Sequence, residues 1–234
     1  MKAVQISFRQ MLVFLKNDMM LAIACVAPVF IGSIFCFGIP RLEGVVTEYF
    51  KMKSILKPYY QVFDVFLASI TPVFYCFVAA MVILEERDDH ITDALYASPL
   101  GKGGYLVSRL GIPGLLSFVI TEGLLLAFSL IHVSFLTRTF MAMNGVLQGV
   151  IFSLMVVTIS SNKLEGMAVT KLTSLMMLGV AMPWFLPEKV QYVFWFLPSY
   201  WMGKAVWCQE NLLVIPAVLL AGVWGYCLVK RGRC

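Results

Sequence analysis

Long apolar segments alternate with short polar segments along this chain. A helix needs about 20 apolar residues to cross a bilayer. Six segments meet that requirement, so we predict spans at about residues 19–39, 63–84, 105–132, 139–160, 167–186 and 211–229. The mean hydropathy of +0.86 agrees, as does a composition that is 60% hydrophobic and 13% charged. The pattern predicts an all-α polytopic membrane protein in which residues 1–234 form a single transmembrane domain.

Two further apolar segments do not fit a simple crossing. Residues 1–16 combine cations with apolar residues at helical spacing, which predicts an interfacial helix or, alternatively, an extension of the first span. Within residues 188–207 the apolar part, Val190–Gly203, has only fourteen residues and is rich in aromatics, so we predict a re-entrant or interfacial hairpin before the last span. Six spans leave both termini on one side. The terminal cations place that side in the cytoplasm, with the chain in the plasma membrane.

The polar composition excludes several classes of function. The net charge of +5 is modest and forms no basic stripe, so we expect contact with lipid and none with nucleic acid. The six cysteines lack metal-ligand spacing and the two histidines are isolated, so we predict neither a metal site nor a catalytic residue. The P-loop pattern GxxxxGK[ST] is missing from the sequence. We therefore expect a chain that binds no cofactor and is not an enzyme by itself.

A charged insert separates the second and third apolar segments. Residues 83–110 are ILEERDDHITDALYASPLGKGGYLVSRL, and five of the nine residues from Glu85 to Asp93 are acidic. With the predicted topology, residues 85–104 face the cytoplasm. We expect the second span to end in an acidic helical cap, followed by a short helix at about Thr92–Ser98 and a turn at the Pro and Gly residues beyond it.

This insert resembles the cytoplasmic coupling segment of type-2 ABC exporter permeases. The resemblance rests on Glu85, Glu86, Arg87, Leu95, Ser98, Pro99, Leu100, Tyr105 and Arg109. The later segment SNKLEGMAVTK is similar to the second cytoplasmic loop of small drug-export permeases, including those for fluoroquinolones, at Lys163, Glu165 and Gly166. The order of interfacial helix, six spans and outer hairpin also matches that family.

The resemblance implies a subunit that docks on a separate ATPase. A short helix would fit a groove on that ATPase, and its acidic face would orient the contact. The implied coupling residues are Glu85, Glu86, Arg87, Thr92, Asp93, Leu95, Ser98, Pro99 and Leu100. The implied partners are two copies of a P-loop ATPase, which bind ATP and Mg, and a second permease that is identical or related. A solvated loop that is acidic only for solubility is the alternative.

Three polar residues inside apolar segments are candidates for a substrate path. Glu122 lies in the middle of the third predicted span, where a carboxylate is costly; it either lines a path or pairs structurally. Asn144 and Gln148 share one face of the fourth span, where they contact substrate or bond to another helix. They accompany the glycines of a GxxxG spacing, which permits close packing within one subunit or at an interface.

We expect an exporter of an amphipathic substrate: a drug, an antimicrobial peptide or a lipid-linked molecule. The resemblance implies a path along the interface of two permeases, near spans one, two and five. A secondary transporter or channel would need several intramembrane ionisable residues, whereas this chain offers mainly Glu122. An intramembrane enzyme would need converging polar groups at one depth. A peptide-sensing or immunity subunit with the same fold remains open.

Overall fold

The chain folds into helices joined by short loops. The computed structural model describes residues 2–98 and 101–231, and these ranges contain no β-strand. The helices are α1 (Lys2–Asn17), α2 (Met19–Phe50), α3 (Lys57–Asp88), α4 (Ile91–Ala97), α5 (Gly101–Phe128), α6 (Phe135–Ile159), α7 (Lys163–Phe185), α8 (Glu188–Gln191), α9 (Pro198–Cys208) and α10 (Val214–Arg231).

Five of these helices are long and apolar enough to cross a membrane: α2, α3, α5, α6 and α7. The predictions of an all-helical class and of several membrane-length helices are therefore confirmed. The apolar part of α10, Val214–Lys230, falls below that length. At 1.5 Å per residue it covers about 26 Å, whereas a hydrocarbon core is about 30 Å thick. A sixth crossing remains a prediction.

Helix α3 is the centre of the bundle. In its most apolar stretch 78% of the residues are buried, against 22% in α2 and in α7. Its closest neighbour is α6, which approaches through the glycines of the GxxxG spacing. A Cβ on Gly145 would lie 2.2 Å from the Ala68 carbonyl oxygen, and one on Gly149 would lie 2.8 Å from that of Pro72. The GxxxG spacing therefore packs two helices of the same chain together.

The first predicted span and the loop after it have different bounds in the structure. The first predicted span ends at residue 39, but α2 continues to Phe50, and Lys51 directly after it adopts a left-handed conformation with φ 54°. Glu43 is buried in that extension and accepts hydrogen bonds from the backbone N–H groups of Ile55 (2.9 Å) and Leu56 (2.6 Å). The buried carboxylate fixes the short remaining loop, which hydropathy alone does not indicate.

The third predicted span is shorter at its far end. We predicted helix to residue 132, but α5 ends at Phe128 and His132 lies in an irregular loop. Asp64 of α3 explains the early end, because its buried carboxylate accepts the N–H groups of Leu130 (2.8 Å) and Ile131 (3.1 Å). Those two groups are thereby satisfied outside a helix.

The segment predicted as a hairpin contains two short helices, α8 and α9. Helix α9 packs against α7 where α7 tightens into a 3₁₀ turn, Leu175–Ala181. A Cβ on Gly203 would lie 2.0 Å from the Val180 carbonyl oxygen, and one on Gly179 would lie 2.4 Å from Ser199 Oγ. Two glycines thus bring α9 against the irregular part of α7; a re-entrant path through the membrane remains a prediction.

Candidate functional site

A buried ion pair lies at the end of the bundle that carries residues 85–98, here called the inner end. The Arg109 Nε donates to both carboxylate oxygens of Glu86, at 3.1 and 3.0 Å, and its Nη2 donates to the same carboxylate. Arg109 is 1% exposed and Glu86 is 6% exposed. The Tyr105 hydroxyl donates a third contact to Glu86, at 2.8 Å. A charge pair this deeply buried needs such a full set of partners.

The same arginine ties the first helix to the cluster. Its Nη1 donates to the Ser7 carbonyl oxygen at 2.7 Å and to Ser7 Oγ at 3.1 Å. Ser7 Oγ also lies 3.1 Å from Ser108 Oγ. Arg109 stands in a π-helical turn of α5, Val107–Gly111, a local distortion that is frequent at functional sites. One guanidinium therefore connects α1, α3 and α5.

Lys163 forms a second junction at the inner end. Its ammonium donates to Asp18 Oδ2 at 2.8 Å and to Glu85 Oε2 at 2.5 Å, while its backbone N–H donates to Asp88 Oδ2 at 2.9 Å. Asp18 also caps α2 through the N–H groups of Met20 and Leu21. The Lys163 hydrogen bond lowers the pKa of Asp18, against the opposing effect of burial. The two predicted cytoplasmic loops thus meet at one lysine.

Two further contacts complete this end. The Arg87 Nη1 donates to the carbonyl oxygens of Val157 (3.1 Å) and Ser160 (3.0 Å), which satisfies the last turn of α6. At the start of α7, Glu165 N–H donates to Asn162 Oδ1, and the Glu165 carboxylate accepts Ser161 N–H. This reciprocal arrangement resembles a capping box. It gives Glu165 a role in starting α7.

Gly166, the third of the residues singled out in the predicted second loop, lies against α3. A Cβ there would lie 2.3 Å from Leu84 Cδ1 and 3.2 Å from Met81 Cε. The loop residues singled out by the sequence therefore all act inside the molecule: Lys163 as a junction, Glu165 as a cap and Gly166 as a close contact.

The short helix predicted at about Thr92–Ser98 is present as α4, one residue earlier than expected. His90, with φ 57°, turns the chain between α3 and α4. Asp89 and Asp93 are exposed, whereas Leu95 packs against the core beside the buried end of α3. The Ser98 hydroxyl donates to the Leu95 carbonyl oxygen at 2.6 Å.

Other predicted coupling residues are placed differently. Thr92 is half-buried, and its hydroxyl has no hydrogen-bond partner among the described residues. Pro99 and Leu100 lie outside the described residues. Of the acidic cluster, Glu86 is buried, Glu85 and Asp88 bind Lys163, and Asp89 and Asp93 face outward. The structure thus divides the cluster into an internal part and an exposed part.

Glu122, predicted as a path residue or a structural partner, is paired. The Arg138 Nε donates to Glu122 Oε2 at 2.9 Å, with both side chains mostly buried. Glu122 Oε1 has no partner among the described residues. The pair joins α5 to α6 towards the other end of the bundle, here called the outer end.

Asn144 and Gln148 face the interior of the bundle, 1% and 8% exposed. Both amide atoms of Asn144 and the Gln148 Oε1 lack partners within residues 2–98 and 101–231. Gln148 Nε2 makes one weak contact, with Met202 Sδ of α9 at 3.3 Å. The two predicted path residues are therefore close in space to α9, a relation that the sequence does not contain.

Sequence reasoning missed several members of the inner-end cluster. Arg109 and Tyr105 were noted for their pattern, but their bonds to Glu86 were not expected; Ser7 and Asp18 were missed entirely. Tyr105 and Arg109 are four residues apart, so they lie on the same face of a helix, and the sequence already contained that signal. Nothing comparable marked Ser7, because a single serine is common in an amphipathic helix.

Helices of membrane-crossing length around a paired polar cluster define a multi-pass membrane protein. The chain belongs to the Rv2686c-like family, described as fluoroquinolones export permease proteins, whose model matches residues 12–229. No curated protein and no solved structure matches the chain. The family supports a membrane subunit for drug export, in agreement with the resemblance drawn from the sequence.

Proposed function

We propose that this chain is the membrane-spanning subunit of an ATP-binding-cassette exporter whose ATPase is a separate chain. One observation carries the proposal: Asp93 of α4 and Asp89 just before it are exposed, while Glu85 and Glu86 at the end of α3 are tied to two other long helices. Glu86 binds Arg109 of α5, and Glu85 binds Lys163 of α7. A partner that pushed on α4 would therefore act on a braced assembly and not on a loose loop.

The proposed mechanism is mechanical. ATP-driven closure of two ATPase subunits would displace α4 of each permease, and the inner-end cluster would carry the displacement into α3, α5 and α7. ATP and Mg would be bound by the ATPases. Two permeases, identical or related, would face each other in the plasma membrane with both termini in the cytoplasm and α10 as a sixth span.

The proposed cargo is an amphipathic drug. The description of the family as fluoroquinolone exporters supports this class over an antimicrobial peptide or a lipid-linked molecule. A secondary transporter would need several intramembrane ionisable residues for an ion path, whereas this chain offers mainly Glu122.

Gentle purification of the tagged chain from its own membranes tests the ATPase partnership. We expect a soluble P-loop ATPase to copurify at one copy per permease, as measured by quantitative mass spectrometry. A chain that emerges alone, even after crosslinking, would favour a secondary transporter. If the chain copurifies with an ATPase but deletion of the chain leaves drug efflux unchanged, a sensing subunit would be favoured.

Charge reversal at α4 tests the docking surface. In the Asp89→Lys/Asp93→Lys variant the copurified ATPase should fall by about tenfold at low salt, because two attractive charges become repulsive. The matched control is Glu48→Lys/Glu210→Lys, which changes the charge equally at exposed positions away from α4. Equal ATPase recovery from both variants would remove the docking role from α4.

A further inference from the structure

The buried and largely unpaired amides of Asn144 and Gln148 are expected to lower the stability of the fold. A buried amide without a partner is destabilising, and such groups are rare in folded proteins. Both residues project from α6 at the turn where its glycines hold it against α3, so neither can move away from the interior. A binding role would explain why polar groups stand there.

Each amide lines a cavity, and Met202 lines the outer cavity while it contacts Gln148. Gln148 lines an inner cavity of about 40 Å³ together with Met155, Thr173, Met176, Met177 and Ser199. Asn144 lines an outer cavity of about 10 Å³, whose wall includes Met202. The Met202 sulfur lies 3.3 Å from both Gln148 Nε2 and Ser69 Oγ. Met202 therefore contacts one amide side chain and shares the cavity wall of the other.

The outer cavity continues into a larger vestibule at the outer end. Both are lined by Thr137, Met141, Ala205 and Val206. The vestibule has a volume of about 370 Å³ and includes Asp64 and His132 in its wall. A drug-sized molecule needs about 300–1,000 Å³, so the vestibule is large enough, whereas the two inner spaces are not.

Met202 is suited to a movable position. Methionine has three flexible side-chain torsions and its sulfur is only a weak acceptor, so rotation of Met202 loses little. The backbone beside it is fixed, because Gly203 lies directly against the Val180 carbonyl. Rotation of the side chain would join the inner cavity to the outer one without movement of a helix.

We infer that this chain holds a ligand-binding site between α6 and α9. The body of a largely apolar molecule would occupy the vestibule, and its polar edge would enter the adjoining outer cavity and bind the Asn144 amide. Met202 would be the gate, because its rotation would also expose the Gln148 amide. The amides supply both a donor and an acceptor, which suits a ligand with a carbonyl beside a hydroxyl or N–H group. The several methionines in the wall would adapt to ligands of different shape. This inference rests on the proposed export function but places the site within one subunit.

Equilibrium binding to the purified chain in lipid nanodiscs, without any ATPase, tests the site. The probe is ciprofloxacin, a fluoroquinolone, followed by its fluorescence anisotropy. Asn144→Leu and Gln148→Met should each raise Kd about fivefold to tenfold, the effect of one lost hydrogen bond. The thermal stability of both variants should stay equal or rise, because each removes an unpaired buried polar group. A merely structural amide would instead lose stability on replacement.

A separate measurement tests whether Met202 acts as the gate. Met202→Ala should raise the association rate of ciprofloxacin several-fold, because the barrier between the cavities is removed. Met143→Ala is the matched control, since Met143 is an exposed methionine on α6. Equal association rates for the two variants would overturn the gate.

Two outcomes would overturn the binding site. An unchanged Kd in both amide variants would mean that the amides hold water only and that the ligand binds elsewhere. No binding of ciprofloxacin to the unaltered chain would exclude the ligand class. Neither outcome touches copurification of the ATPase, so failure of this inference is separable from failure of the proposed function.

Discussion

The inner-end cluster and the α6–α9 amides are both buried polar sets, but they differ in how fully they are paired. Around Arg109, the Glu86 carboxylate and its neighbours form a connected network. Around Asn144 and Gln148, most polar atoms have no partner among the described residues. A fully paired set holds helices in place, whereas an unpaired set retains capacity to bind something else. We therefore propose that the first region braces the helices and that the second region binds a ligand.

The largest expected effect comes from breaking the buried ion pair. Arg109→Met leaves the Glu86 charge buried and unpaired, which should cost about 3–5 kcal/mol in the free energy of unfolding. Glu86→Leu/Arg109→Met removes both charges and should recover most of that loss. Urea or thermal unfolding in detergent measures both variants. Two variants of equal stability would show that Glu86 is not dependent on Arg109.

Close helix packing gives the next effect. Gly145→Ala places a Cβ against the Ala68 carbonyl, so α3 and α6 must separate; we expect a loss of about 1–3 kcal/mol. The matched control is Gly123→Ala, because nothing lies within 4 Å of a Cβ at that position. The control should gain up to about 1 kcal/mol from helix propensity. A control that loses as much as Gly145→Ala would contradict the packing explanation.

The lysine junction should give a smaller effect that depends on pH. Lys163→Met removes the ammonium shared by Asp18 and Glu85 and should lower the unfolding temperature by a few degrees at pH 7. Because pairing lowers the pKa of Asp18, its stabilisation is complete above the unfolded value near 4 and is lost as the pH falls through the lower folded value.

The difference in unfolding temperature between Lys163→Met and the unaltered chain should therefore shrink as the solution becomes acidic. A difference that stays constant from neutral pH to pH 3 would mean that the junction acts through packing alone. Lys171→Met, at an exposed lysine on the same helix, is the control.

The smallest effect is expected at Glu122. Glu122→Gln keeps the shape of the side chain and a carbonyl oxygen that can still accept the Arg138 hydrogen bond, so the expected cost is about 1 kcal/mol. Drug efflux by cells expressing this variant should stay within twofold of the unaltered level. A large loss of efflux at unchanged stability would return Glu122 to the substrate path.

The class of protein could be predicted from the sequence, but the division of the acidic cluster into internal and exposed carboxylates could not. Apolar runs long enough for a bilayer indicated the spans, and the segment 83–110 indicated a short helix after α3. Yet Glu85, Glu86, Asp88 and Asp89 are similar in type and adjacent in sequence. The rotation of the helix directs some of these carboxylates inward and others outward. Which residues pair with the inward ones depends on α1, α5 and α7, which are more than a dozen residues away in the sequence.

The sequence by itself determined that this chain is helical, membrane-embedded and divided by a charged segment, because those properties follow from local hydropathy and helix length. Only the tertiary structure decided which partners the buried polar groups have. It paired Glu86 with Arg109 and Lys163 with Asp18, and among the described residues it left the Asn144 amide and the Gln148 Oε1 without partners. The physical reason is that hydropathy is a property of each residue, whereas hydrogen-bond satisfaction is a property of the contacts between distant segments.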